Sequence, residues 1–109
     1  MEVIKRELRH YLTPNGKNLF KEWLSSLKSI ADQAAILNRL DRVEDGNLGD
    51  HRYVGQGVWE LRVHISSGYR VYYAEHGKVV ILLICGGNKH SQKKDIRFAQ
   101  KLWRESQEE

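Results

Sequence analysis

The spacing of apolar residues along this chain alternates between a helical and a strand period, and each switch marks an element. Val3, Ile4, Leu8 and Tyr11 outline a first strand over 3–11. Thr13-Pro14 reads as an N-cap with proline at the first helical position. Leu19, Phe20, Trp23, Leu24 and Leu27 then recur at helical spacing and predict a helix over 14–27. Ser29 with Asp32 three residues on has the form of a capping box, and Ile30, Ala34, Leu37, Leu40 and Val43 mark one face of a second helix ending at Gly46. Four glycines within 45–57 predict a long loop.

Period 2 takes over at Trp59, where Trp59, Leu61, Val63 and Ile65 alternate with Glu60, Arg62 and His64, as a strand with one buried face requires. Ser66-Ser67-Gly68 turns the chain into a strand over 69–74, and Glu75-His76-Gly77 turns it again into 78–85, whose unbroken apolar run fits a central strand covered on both faces. After Gly86-Gly87, Ser91 is placed to cap a last helix carrying Ile96, Ala99, Leu102 and Trp103. The order β-α-α-β-β-β-α, an antiparallel sheet with an N-terminal αα-hairpin and a C-terminal helix packed on one face, is an α+β fold. Its 109 residues suit one domain over 1–109.

A three-residue turn at 66–68 would set Ile65 against Tyr69, Val63 against Val71 and Leu61 against Tyr73, all apolar or aromatic. The same register sets His64 against Arg70 and Arg62 against Tyr72, whereas a two-residue turn would mix the faces. Glu60, Arg62, His64, Arg70 and Tyr72 then share one polar face. Arginines close together on a sheet repel, so an anion bound between them accounts for the pair, and two guanidinium groups can clamp a phosphate. Alternatively, Glu60 neutralises Arg62 on a solvated face.

Charge sharpens this picture. The formal net charge is +4. Residues 1–50 carry eight basic and eight acidic side chains, while 51–104 carry ten basic and three acidic, a net of +7, together with four of the five histidines. Such asymmetry fits a polyanion or an acidic partner. Gly86-Gly87-Asn88-Lys89-His90-Ser91 runs from a strand into a helix start, where glycines admit a ligand to the backbone and free N–H groups attract anions. Lys89, His90, Lys93 and Lys94 surround that point, and the His90 imidazole can move protons near neutral pH.

Other chemistries find less support. Cys85 falls in the apolar run and reads as a core residue, the tryptophans stand inside apolar patterns, and no spacing of Cys, His or carboxylates has zinc or magnesium form. The spacing before Lys89 is too short for a Walker loop, so no cofactor is expected. A seven-residue apolar run, Val79–Cys85, is far below the roughly 20 residues of a membrane span, and charges at Glu2, Lys5, Arg6 and Glu7 argue against a signal peptide. The expected compartment is the cytoplasm.

Val58-Trp59-Glu60-Leu61-Arg62, Ser67-Gly68-Tyr69-Arg70-Val71-Tyr72-Tyr73, the apolar strand ending in Gly-Gly-Asn-Lys, and Asp95-Ile96 followed by Ala99 resemble the RelE/ParE superfamily of toxin–antitoxin toxins, nearest its HigB-like addiction module killer branch. The resemblance spans nearly the whole chain and is most specific over 58–103. It implies a ribosome-dependent endoribonuclease that cuts translated mRNA, with Arg62 and Arg70 on the scissile phosphate and Lys89 as the basic group after the last strand. His64, Tyr72, Lys93 and Lys94 would contact RNA or ribosome. It also implies an antitoxin, in HigB-like systems often with a helix-turn-helix, held in a heteromeric complex. Some RelE members place a tyrosine near the start of the last helix; here no tyrosine follows Tyr73, and Asp95 stands about there. The general base and acid are therefore open among His90, His64 and Asp95. Two other classes compete: a ParE-like gyrase inhibitor without catalysis, and a basic nucleic-acid-binding module.

Overall fold

The computed structural model describes residues 4–108. Its elements are β1 (Glu7–His10), α1 (Leu19–Ser26), α2 (Ile30–Glu44), β2 (His51–Gly55), β3 (Val58–Val63), β4 (Tyr69–His76), β5 (Val80–Asn88) and α3 (Gln92–Gln107), with a 3-10 turn at Lys89–Ser91. The fold is α+β, but the order is β-α-α-β-β-β-β-α rather than the one expected. The strands form one sheet in the order β1-β5-β4-β3-β2. β1 runs parallel to β5, with Leu8 beside Ile81, so the sheet is mixed rather than antiparallel. Val3, in the expected first strand, lies outside the described residues.

The segment expected as a loop contains β2, because its glycines build a hairpin. Gln56 and Gly57 have φ of 56° and 82°, the double left-handed turn that joins twisted antiparallel strands. Gly57 also admits the Trp103 indole, which a Cβ there would meet at 2.6 Å. α1 starts later than Thr13-Pro14 indicates: Asn18 caps it, accepting from the Lys21 N–H. Thr13 instead closes a tight turn, its hydroxyl oxygen accepting from the Lys17 N–H and its N–H donating to the Lys17 carbonyl.

Helices cover both faces of the sheet, not one. α1 and α2 bury Phe20, Ile36, Leu40 and Val43 against Leu61, Val63, Val71, Tyr73, Ile81 and Leu83. α3 packs Ala99 and Leu102 against Val58, Tyr72, Ala74, Ile84 and Cys85. This second cover explains why β5 is apolar on both sides. A register shift opposite Tyr72 and Tyr73 brings the consecutive residues Ile84 and Cys85 into the core under α3. α2 is rotated from its expected face: Ile36, Leu40 and Val43 are buried, whereas Ile30 is 75% exposed and Leu37 48%.

The β3–β4 hairpin keeps the expected faces with a longer turn. Leu61 pairs with Val71, Val63 with Tyr69 and Arg62 with Arg70, two residues away from the expected register. A shift of two preserves which side chains share a face and changes only which stand opposite. Residues 64–68 form the connection, closed by Gly68 N–H to the Ile65 carbonyl at 2.8 Å. Its middle residue, Ser66, is left-handed at φ 47°.

Candidate functional site

Two arginines stand opposite each other at the end of the β3–β4 hairpin. Arg62 is anchored, its Nε donating to Glu60 Oε1 at 3.2 Å. Arg70 is not: its Nε is buried and has no hydrogen-bond partner. Beside them the end of β5 is tied to the hairpin turn, Lys89 N–H donating to the Gly68 carbonyl at 3.2 Å. Arg62, His64, Ser66, Tyr69, Arg70 and Lys89 thus line one cleft of about 360 Å³.

The turn forming one wall is held from the opposite layer. Asp32, in the first turn of α2, accepts from the Ser66 hydroxyl at 3.0 Å and from the Tyr69 hydroxyl at 2.7 Å. The Tyr69 bond, with help from the Ser66 and Ser29 hydroxyls and against some burial, holds the Asp32 carboxyl below its ordinary range. The cap itself forms as expected, Ser29 Oγ accepting from the Asp32 N–H, while the Asp32 carboxylate serves the cleft wall. On the same rim His64 Nε2 meets Asp50 Oδ2 at 2.5 Å, and that bond lowers the Asp50 carboxyl despite slight burial.

Beneath the arginines lies a buried polar hub. Glu60 is 0% exposed. Its Oε1 accepts from Arg52 Nε at 3.1 Å and from Arg62 Nε; its Oε2 accepts from the Tyr72 hydroxyl at 3.0 Å and from Gln92 Nε2 at 2.9 Å. Burial alone would raise this carboxyl, but the bonds from Gln92, Arg62, Arg52 and Tyr72 outweigh it and hold it below the usual value. The face expected to be polar and open is therefore partly roofed by α3.

That roof corrects several expectations. Tyr72 is fully buried and bonded to Glu60, so it supports the site rather than touching a ligand. Burial and the adjacent Glu60 charge push its hydroxyl far above the tyrosine range. Asp95 accepts from Ser91 Oγ and lies against Gly87, where a Cβ would come within 1.8 Å of its Oδ2; it is not among the residues lining the cleft. Ser91 stands at the N-cap position of α3 as expected, but its side chain makes no capping bond there; Asn88 caps the preceding turn, accepting from the His90 and Ser91 N–H groups. The glycines of 86–87 leave no room for a ligand either, since the Trp23 ring fills the space beside Gly86 and Asp95 that beside Gly87. His90, Lys93 and Lys94 are exposed and lie outside the cleft lining. The Cys85 thiol is buried, which pushes it up to about 12, with a further rise from the Asp95 charge, as befits a core residue.

Of the expected site residues, the fold brings together Arg62, His64, Arg70 and Lys89. Asp32, Asp50 and Gln92 escaped notice because their contacts join residues 14 to 37 positions apart, and Arg52 because its strand, β2, falls in the stretch expected to be a loop. Glu60 carried a signal: it shares the strand parity of Arg62. No three described His, Cys, Asp or Glu side chains gather into a metal-binding group, and no helix among the described residues is long and apolar enough to cross a membrane.

The described residues thus form a small mixed-sheet domain with a cationic cleft at its hairpin end. The chain belongs to the Gp49-like phage-derived protein family (DUF891), which matches residues 22–104, from within α1 to within α3. This is a toxin–antitoxin-associated family related to RelE-like toxins. The chain is also 43% identical over 86 residues to an uncharacterized protein of Haemophilus influenzae, an overlap covering 79% of this chain and 87% of that protein.

Proposed function

We propose that the protein is the toxin of a type II toxin–antitoxin pair, of HigB-like character, and that it cleaves ribosome-bound mRNA. The observation that carries this reading is the convergence of Arg62, Arg70 and Lys89 on one cleft in which the Arg70 Nε is buried and unpaired. A buried donor without a partner costs free energy, so the Arg70 side chain has no protein acceptor to give up in turning its guanidinium into the cleft toward a phosphate.

In the reaction, the 2′-oxygen of a ribose attacks the adjacent phosphorus while the bond to the 5′-oxygen breaks, leaving a 2′,3′-cyclic phosphate and a 5′-hydroxyl. Charge accumulates on the non-bridging oxygens, where Arg62, Arg70 and Lys89 stabilise it. The 2′-OH loses a proton and the leaving oxygen gains one. Of His64, His90 and Asp95, only His64 lines the cleft, and Asp50 orients its ring, so His64 takes the proton from the 2′-OH, while water supplies the proton to the leaving 5′-oxygen. A neighbouring antitoxin that covers this basic cleft would keep the toxin silent in the cytoplasm.

The test is induction of wild type and Arg70→Ala in cells, with new 5′ ends mapped on translated and untranslated copies of one transcript. Cuts are expected only in the translated, wild-type sample. Intact mRNA with DNA damage would instead place the protein among gyrase inhibitors.

A further inference from the structure

We infer that Glu60 is the positioning residue for Arg62: its buried carboxylate fixes the arginine by Nε and turns the rest of the guanidinium toward the cleft, without touching the ligand. Four donors from four elements converge on it, Arg52 of β2, Arg62 of β3, Tyr72 of β4 and Gln92 of α3. Both oxygens are doubly occupied, and the residue is 0% exposed, so it cannot serve as a base for an incoming 2′-OH. What it supplies is a fixed negative charge under a pair of facing arginines.

The geometry favours this role over mere core filling. An arginine opposite another arginine is pushed away by it and, with a long side chain, has many rotamers in which to escape. The bond at 3.2 Å to Nε removes that freedom for Arg62 and leaves the terminal nitrogens as the groups presented to a phosphate. Arg70 has no such anchor. The two arginines therefore divide the work, one held in place beforehand and one completed by the ligand. Gln92, the first residue of α3, closes the hub from above, so docking of the C-terminal helix and aiming of Arg62 are one event.

This inference rests on the nuclease reading for its kinetic arm, and a second arm is independent of it. Glu60→Gln keeps the shape and removes the charge. In a translating extract the variant is expected to lower the maximal cleavage rate at least tenfold, with the half-saturating concentration of ribosome-bound mRNA within twofold of wild type. In an Arg62→Ala background the same substitution should change the rate less than twofold, because its effect passes through Arg62. An equal loss in both backgrounds would show a structural role alone and overturn the inference. If Glu60→Gln does not fold, Gln92→Ala removes a single bond to the carboxylate and should give an at least threefold fall, again absent without Arg62.

Should the wild type cleave no RNA, the nuclease reading fails, and nitrogen-15 NMR of the Arg62 Nε–Hε group decides. A slowly exchanging signal that moves on Glu60→Gln supports the positioning role, and an unmoved signal refutes it.

Discussion

Two guanidinium groups set opposite one another on neighbouring strands repel, and directly paired like charges cost a sheet up to about 1 kcal/mol. Arg62 and Arg70 are such a pair, and Arg70 adds a buried Nε with no acceptor. Neither feature helps the domain fold. Arg70→Gln, which removes the repulsion and keeps some of the side-chain bulk, should therefore be about 1 kcal/mol more stable than wild type in urea unfolding while losing the activity that Arg70→Ala tests. A variant less stable than wild type would mean that Arg70 contributes to packing, and that its unpaired Nε marks no ligand site. Arg62 differs in this respect because Glu60 compensates it, so its removal leaves a buried carboxylate with one donor fewer and should destabilise.

At the scale of elements, the cleft is a joint between layers, and its ties are carboxylates. Asp32 binds the β3–β4 turn to α2, Asp50 binds His64, and Glu60 binds α3 to the sheet. All three lie below their ordinary carboxyl values, Asp32 chiefly through Tyr69, Asp50 chiefly through His64, and Glu60 against its own burial through four donors. A carboxylate whose folded value is depressed adds stability that is fully present above its unfolded value, about 4, and is lost as pH falls through the folded one. Thermal unfolding measured from pH 7 to pH 3 should show the midpoint dropping on the acid side, and Asp32→Asn should start lower at pH 7 and drop less. A parallel pair of curves would separate Asp32 from the acid transition.

How far this was legible depended on the distance in sequence between partners. The hairpin alternation put Arg62, Arg70, Glu60 and Tyr72 on one face, and a two-residue error in register left that intact because strand faces repeat every two residues. The polar β2 was masked by the glycines that turn it back, and α2 carries apolar residues on its exposed side as well as its buried one, so its pattern pointed to the wrong face. Which groups roof the arginines depended on where α3 docks, and nothing local in 92–107 states that Gln92 meets Glu60. The parallel pairing of β1 with β5 is likewise set by the path of the chain through both helices.

For the whole molecule, the open quantity is how much of the positive charge a ligand uses. Residues 51–104 carry a net of +7, yet only Arg62, Arg70 and Lys89 supply permanent cations to the cleft, while Lys93 and Lys94 stand outside its lining. Single-stranded nucleic acid releases about 0.7 counterions for each phosphate neutralised, so affinity plotted against salt on logarithmic axes counts the cations in contact. Binding confined to the cleft predicts a slope of about −2 for a short single-stranded RNA, whereas a broad basic surface that also engages Lys93 and Lys94 predicts about −3.5. The cleft reading further requires that Lys93→Ala with Lys94→Ala leave the slope unchanged and that Arg62→Ala reduce it by about 0.7. A titration in which the two lysines moved the slope as far as two cleft cations would describe a basic adaptor. Recognition would then be spread along α3, and the unpaired Arg70 would need another explanation.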